Sequence, residues 1–183
     1  MSVMKVLLSI LAAVFLASAP AAFAADAKLD KDAQSALKKL YAKVPAAKTL
    51  GQKAVAILVF PRVTKAGLGI GGQYGEGAMI DNGKVVGYYS TAGASYGLQA
   101  GAQRFGYAMF FMNEKALQAL TKNEGMEVGV GPSVVVMDES KMALAKQSTS
   151  TTLTEDVYAF IFSQKGLMAG LGIQGNKITK LNK

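Results

Sequence analysis

Gly67-Leu-Gly-Ile-Gly-Gly-Gln-Tyr-Gly-Glu-Gly-Ala-Met-Ile-Asp-Asn-Gly-Lys-Val-Val86 decides how this chain folds. From Gly67 to Ile80 small or apolar residues alternate with polar ones, the period of a strand with one buried face. Asn82-Gly83 then stands between Met79-Ile80 and Val85-Val86, the dipeptide that favours a two-residue hairpin turn. The first six residues also fit G-x-G-x-x-G. A dinucleotide site, however, needs a helix N-terminus directly after the glycines, and here Gly75 and Gly77 continue an alternating segment. Nucleotide binding is set aside on that ground.

Strand texture extends on both sides. Upstream, Lys53-Ala-Val-Ala-Ile-Leu-Val-Phe60 is a continuous β-favouring run, read as a strand buried on both faces and stopped by Pro61. Downstream, Tyr88 to Ala92 and Ser95 to Phe111 continue the pattern, with Thr91 to Ser95 read as a mobile connection pivoting on Gly93. Asn113 caps a predicted helix through Thr121, closed by Gly125. Met126–Val130, Ser133–Met137, Val157–Phe162 and Lys177–Leu181 read as further strands, with Lys165-Gly166 turning the chain into Leu167 to Ile173. Asp138 to Thr152 reads as a polar excursion with one helical turn at Ser140 to Ala145. Because 13 of the 20 glycines fall between Gly51 and Gly106, the expected fold is mainly β with a few helices (α+β). Its core is a glycine-rich, strongly curved antiparallel sheet or barrel. Gly67–Gly72 and Gly170–Gly175 share five of six positions, through chance or duplication, and Leu and Ile should share a face in both.

Ahead of the strands, Leu29, Ala33, Ala36, Leu37, Leu40 and Tyr41 recur at helical spacing over Lys28 to Lys43, with Asp30 as the expected cap. Pro45 opens a short second helical turn through Leu50, stopped by Gly51. Further upstream, Lys5 precedes the apolar run Val6–Ala19, then Pro20 and Ala22-Phe23-Ala24. That order is a cleavable export signal, with cleavage expected between Ala24 and Ala25. The domain organisation is therefore a signal peptide over 1–24 and a single domain over 25–183, with a helical segment over 28–50 and a β core over 53–183. The expected location is the periplasm, as a protein peripheral to a membrane.

The 159 residues after the signal carry 19 basic and 12 acidic side chains, a formal +7 that favours anionic partners: phospholipid, lipopolysaccharide phosphate or an acidic protein. Outside the cytoplasm nucleic acid is not an expected partner. With no Cys and no His, thiol nucleophiles, disulfides, thiolate metal sites and most proton-transfer constellations cannot be built. A Ser with a Lys base or a carboxylate pair remains formally open, but no G-x-S-x-G, S-x-x-K or HExxH occurs. The chain is expected to be no enzyme and to need no cofactor or metal.

The candidate headgroup-binding residues are Lys28, Lys31, Lys38, Lys39, Lys43 and Lys48, set against Asp30 and Asp32, with Arg62 and Lys65 as secondary candidates. Each cation near an anionic bilayer contributes about 1 kcal/mol, while the same lysines also fit a merely solvated helix face. Glu76 between two glycines reads as an outward strand residue paired with Arg62, Lys65 or Arg104, or as a ligand group. Gln73, Gln99 and Gln103 are expected to line one face.

Five motifs stand in order: Ala54-Val-Ala-Ile-Leu-Val-Phe-Pro61 with Lys65-Ala-Gly67, Gly71-Gly-Gln-Tyr-Gly-Glu-Gly77, Tyr96-Gly-Leu-Gln-Ala-Gly101, Gly131-Pro132, and Ser163-Gln-Lys-Gly-Leu-Met-Ala-Gly-Leu-Gly-Ile-Gln-Gly175. Together they resemble the SYLF domain, over nearly all of the chain after the signal. The resemblance implies a β-barrel-like core with a few helices, no enzymatic activity, and binding of phosphoinositides or other anionic lipids. It also implies a role for the basic stretch Lys28 to Lys48. Eukaryotic relatives carry adaptor domains that this chain lacks, and a bacterial periplasm holds little phosphoinositide. The expected ligands are thus phosphatidylglycerol, cardiolipin or lipopolysaccharide phosphate. The alternative is a docking module for an envelope protein, using loops Thr91–Ser95 and Asp138–Thr152.

Overall fold

The computed structural model describes residues 19–137, 154–166 and 172–183; of 19–25 and 95–100 the backbone alone is described. In chain order the elements are α1 (Ala19–Lys43), α2 (Pro45–Gly51), β1 (Ala56–Asp81), β2 (Lys84–Phe111), α3 (Glu114–Thr121), β3 (Gly125–Glu127), β4 (Val134–Met137), β5 (Val157–Gly166) and β6 (Lys177–Leu181). The expected excursion Asp138–Thr152 and its helical turn at Ser140–Ala145 lie outside the described residues.

β1 and β2 form one long antiparallel ribbon closed by Asn82 and Gly83, with Asp81 opposite Lys84. Both turn residues have positive φ (47° and 78°), as a type I′ hairpin requires. Straight, the 26 residues of β1 would span roughly 85 Å at ~3.3 Å per residue, whereas a domain of this size has a radius of gyration of about 15 Å. The ribbon therefore folds on itself. The bend is at Gly69 (φ 74°), where the register jumps from Leu68 opposite Ala100 to Ile70 opposite Tyr96. Beyond it the two arms of β1 meet at backbone distance. A Cβ on Gly75 would lie 2.7 Å from the Arg62 carbonyl oxygen, and one on Gly77 would lie 2.6 Å from that of Val59.

The rest of the sheet hangs on β2. Its first arm pairs with β6 (Tyr88 opposite Leu181), its second with β5 (Phe111 opposite Val157), and β3 and β4 extend the two edges. The result is a curled, six-stranded half-barrel in the order β3-β6-β2-β5-β4, with β1 also on β2. It is mixed rather than wholly antiparallel, because β4 runs parallel to β5.

Alternation along β1 divides the core in two, with Leu58 and Phe60 on one face and Ile57 and Val59 on the other. Inside the curl, Phe60, Val63, Phe105, Tyr107, Met109 and Ile161 pack together, with Ala116 and Leu120 of α3 covering one side. Outside, Ala33, Leu37 and Leu40 of α1 and Ala47 and Leu50 of α2 cover Ile57, Val59, Ala78, Ile80, Phe110 and Phe160. The strand expected to be buried on both faces is so buried. Asn113 caps α3, accepting from the Ala116 amide at 2.9 Å, and donates at 2.9 Å to Asp156, which also accepts from Ser133. These bonds hold the Asp156 carboxyl below its usual range and fasten α3 to the starts of β4 and β5.

Four expectations are corrected. Pro61 does not end β1: it sits in a bulge between Phe60 and Val63, where its missing N–H costs no ladder bond. Thr91–Ser95 is no connection but mid-strand in β2, with Thr91 fully buried. Asp30 caps nothing, since α1 begins at Ala19. α3 ends at Thr121, with Lys122 rather than Gly125 as its C-cap. Of the glycine echo, Leu68 and Ile70 are both exposed, as sharing a face requires, while Leu171 of the second segment lies outside the described residues.

Gly77→Ala places a methyl group against backbone that cannot yield without opening the ribbon. It should lower the unfolding free energy by ~1–3 kcal/mol, read as a shifted denaturant midpoint, while Gly72→Ala, where a Cβ meets nothing closer than 3.7 Å, should cost less.

Candidate functional site: a basic groove beside the first helix

The lysines of α1 sit where helical geometry sends them. At 3.6 residues per turn, Lys28, Lys31, Lys38, Lys39 and Lys43 fall within an arc of about 140° opposite the buried Ala33, Leu37 and Leu40. All five are exposed, as is Lys48 on α2. Lys28 is ion-paired with Asp32 at 2.6 Å. The expected set divides, with Lys31 and Lys38 at one margin of the arc and Lys39 towards the sheet.

Beside Lys39, along the flank of α1, lies a groove of about 520 Å³. Two strand irregularities build it. The bulge at Pro61 turns Arg62 outward, and a register jump between Arg104 and Gly106 opposite β5 leaves Ser163 at φ 55°. Arg104 is directly opposite Lys165. Lys39, Arg62, Arg104 and Lys165 thus come to one groove from four segments, with Ser35 and Ser163 as hydroxyl donors and Asp32 as the one acid in the lining. Two guanidinium forks and two ammonium groups form a lining suited to phosphate oxygens.

From the groove the outer face of β1 continues through Thr64 and Ala66 to the bend, uncovered by any helix. There Leu68 is 81% and Ile70 71% exposed, with Tyr74 beyond. A large apolar group so open to water is a mark of a contact surface.

The residues expected from sequence fare unequally. Lys39 and Arg62 line the groove; Lys28, Lys31, Lys38, Lys43 and Lys48 are exposed but outside its lining. Lys65 is 7% exposed on the inner face and is not available to a membrane surface, because the bulge shifts the alternation so that position 62 faces out and position 65 in. Arg104 and Lys165 were missed as site residues. No sequence signal pairs them with Arg62, since the contact depends on register across β1, β2 and β5. Gln73 and Gln103 do share the inner face, both buried, while Gln99 lies outside the residues whose side chains are described. Glu76 pairs with none of the three cations considered: it accepts from Lys183 Nζ at 2.7 Å and from the Tyr74 hydroxyl at 3.1 Å. Lys183 also lies 3.5 Å from Asp26 and 5.9 Å from the centroid of the Tyr88 ring. Burial and the Asp30 carboxylate push the Tyr88 hydroxyl up to about 12.

A family model, Ysc84, described as Las17-binding protein actin regulator, matches residues 92–183. The chain belongs to the Ysc84, or SYLF, family. Among curated proteins nothing matches. The SYLF match takes in β2 from Ala92 onward and everything after it, hence Arg104 and Lys165, whereas α1 and Arg62 precede it. Among the described residues no helix is long and apolar enough to cross a membrane.

The Lys183 contacts carry a pH signature. The Lys183 hydrogen bond holds the Glu76 carboxyl below its ordinary 4.5, and the same bond raises Lys183 above 10.5. The stability from Glu76 is then fully present above pH 4.5 and lost as pH falls through the lowered folded value. Lys183→Ala should lower the melting temperature at pH 7 and flatten its fall between about pH 5 and 3, checked by thermal melts across that range.

Proposed function

We propose that this SYLF protein is a non-enzymatic, peripheral lipid-binding domain of the bacterial envelope that takes phosphate-bearing lipid headgroups in the groove between α1 and the β1 bulge. The single observation that carries this reading is the convergence of Lys39, Arg62, Arg104 and Lys165 on one groove with one acid, itself near Lys28. Chain segments far apart in sequence concentrate like charge there, at a cost in self-repulsion that an anionic ligand removes. The exposed lysines of α1 add long-range attraction, and Leu68 and Ile70 offer apolar contact with the acyl boundary. Phosphatidylglycerol, cardiolipin and lipopolysaccharide phosphate fit this chemistry, as does a phosphoinositide. At about 1 kcal/mol per cation the attachment is reversible and salt-sensitive.

In this reading residues 1–24 are an export signal. The Ala24–Ala25 bond lies within α1. Cleavage leaves Asp26 and Asp30 in the first turns of the shortened helix, where carboxylates suit its positive end. Mass spectrometry of the exported protein should find Ala25 at its N-terminus; an intact leader would sink the export reading.

Cosedimentation with liposomes tests the groove. Binding should rise with phosphatidylglycerol content and fall with salt. Arg62→Ala with Arg104→Ala should cost roughly 30-fold in partitioning, two contributions of about 1 kcal/mol each, and more than Lys31→Ala with Lys38→Ala. Equal losses from the two pairs would mean diffuse attraction rather than a site. Binding indifferent to lipid charge would favour protein docking, the activity in the family's description.

A further inference from the structure

Apolar packing fastens α1 from Ala33 onward but not in the turns before it. Ala33 is the first buried residue of the helix among those whose side chains are described, followed by Leu37 and Leu40. Ahead of it, Asp26, Leu29, Asp30 and Asp32 are half-buried, and Ala27, Lys28 and Lys31 are exposed. A segment with no buried apolar anchor opens locally at small cost unless polar contacts hold it.

Those contacts converge on one ammonium. Lys183 Nζ lies 2.7 Å from Glu76 Oε2 on β1 and 3.5 Å from Asp26 Oδ1 on α1, with the Tyr88 ring of β2 centred 5.9 Å away. The charged and titratable groups around Glu76 and Lys183 are Tyr74 on β1, which donates to Glu76 at 3.1 Å, Tyr88 on β2, and Asp26 and Asp30 on α1. Asp30 is the other polar neighbour of the sheet, its carboxylate facing the Tyr88 hydroxyl. Its fit is incomplete: Asp30 Oδ1 is buried and accepts no hydrogen bond among the described residues. Docking these turns therefore leaves a desolvated acceptor uncompensated, a cost that the Lys183 contacts offset.

What these turns carry bears on the basic groove. Asp26, Asp30 and Asp32 against Lys28 and Lys31 are three acids and two bases, a net negative charge. Asp32, at their end, is the one acid in the groove lining, beside Lys39, Arg62, Arg104 and Lys165. It stands in the field that an anion would enter. Its partner Lys28 sits one turn earlier on the same helix, so unwinding as far as Ala33 removes both together. We infer that residues 26–32 are an autoinhibitory strap, held on β1 through Lys183 and released when Glu76 takes up a proton. This regulation rests on the reading of the groove as an anion site. The Glu76 contact is fully present above pH 4.5 and lost as pH falls through the lowered folded value. Release therefore belongs to the acid side, and it leaves the groove more positive because the departing turns carry more acid than base.

Hydrogen exchange on the full chain, read amide by amide, tests the strap. Residues 26–32 should be protected at pH 7 and lose protection below pH 4.5, while Tyr107–Phe111 in β2 stay protected. Glu76→Gln and Lys183→Gln should each reduce protection of 26–32 at pH 7 by roughly tenfold, the effect of one hydrogen bond to a charged group, and flatten its fall with acid. Cosedimentation with phosphatidylglycerol vesicles at pH 7 tests the inhibition. Asp32→Asn should raise partitioning about fivefold, the effect of one unit charge near an anionic surface. Lys183→Gln should raise it too, although it removes a positive charge, and should add nothing in the Asp32→Asn background. Protection of 26–32 unchanged in both Glu76→Gln and Lys183→Gln, or lost only together with that of β2, overturns the strap. Protection lost with partitioning unchanged or lowered overturns the inhibition. Partitioning that ignores Arg62→Ala with Arg104→Ala sinks the groove reading instead and leaves the exchange result standing, so the two readings fail separately.

Discussion

The backbone contact between the two arms of β1, at Gly75 against Arg62 and Gly77 against Val59, is the constraint on which the rest of the molecule depends. A ribbon of this length has to fold, and it folds this tightly because those positions carry no Cβ. The closeness of the arms makes an inner face narrow enough for Phe60, Val63, Phe105 and Tyr107 to fill. It also leaves an outer face on which α1 and α2 pack at one end only.

The groove follows from that partial cover. A helix laid on a bent sheet leaves a step along its flank, and this step coincides with two bulges. Bulges release residues from the ladder and re-aim them, which sends Arg62 outward beside Arg104 and Lys165 instead of into the core. The buried Lys65 is the other consequence of the same bulge: one displaced residue changes which of the neighbouring cations faces water. Charge and polarity thus divide between an open basic groove and a buried polar layer inside, in a chain with neither His nor Cys to serve as proton carrier or thiolate. Recognition by hydrogen bonds and charge is the chemistry this composition favours.

Fastening is concentrated at a few polar joints. Asp156 ties α3, β4 and β5 through Asn113 and Ser133. Lys183 ties the last strand to α1 and β1 through Asp26 and Glu76. Both joints link segments distant in sequence, which suits a sheet whose edges, among the described residues, are not closed on one another.

Local chemistry made much of this legible. Asn82-Gly83 determines its turn because few residues accept positive φ in succession, Asn113 its cap because a short amide can reach the amide three residues on, and the apolar spacing of Ala33, Leu37 and Leu40 the buried side of α1. The glycine density announced strong curvature, and the run to Phe60 a strand covered on both faces. Thr91–Ser95 was misread as a connection because small residues look alike in a loop and in a crowded strand; only the proximity of Asn176 and Gln73 shows why nothing larger fits at Gly93. Glu76 found Lys183 rather than Arg62, Lys65 or Arg104, and Arg104 found Lys165, through contacts between strands remote in sequence. By itself, then, the sequence determined the elements, their faces and a basic surface. The meeting of Lys39, Arg62, Arg104 and Lys165, and the burial of Lys65 with Gln73 and Gln103, were decided by the fold of the ribbon, since a one-residue bulge exchanges inside for outside and no local pattern records where it falls.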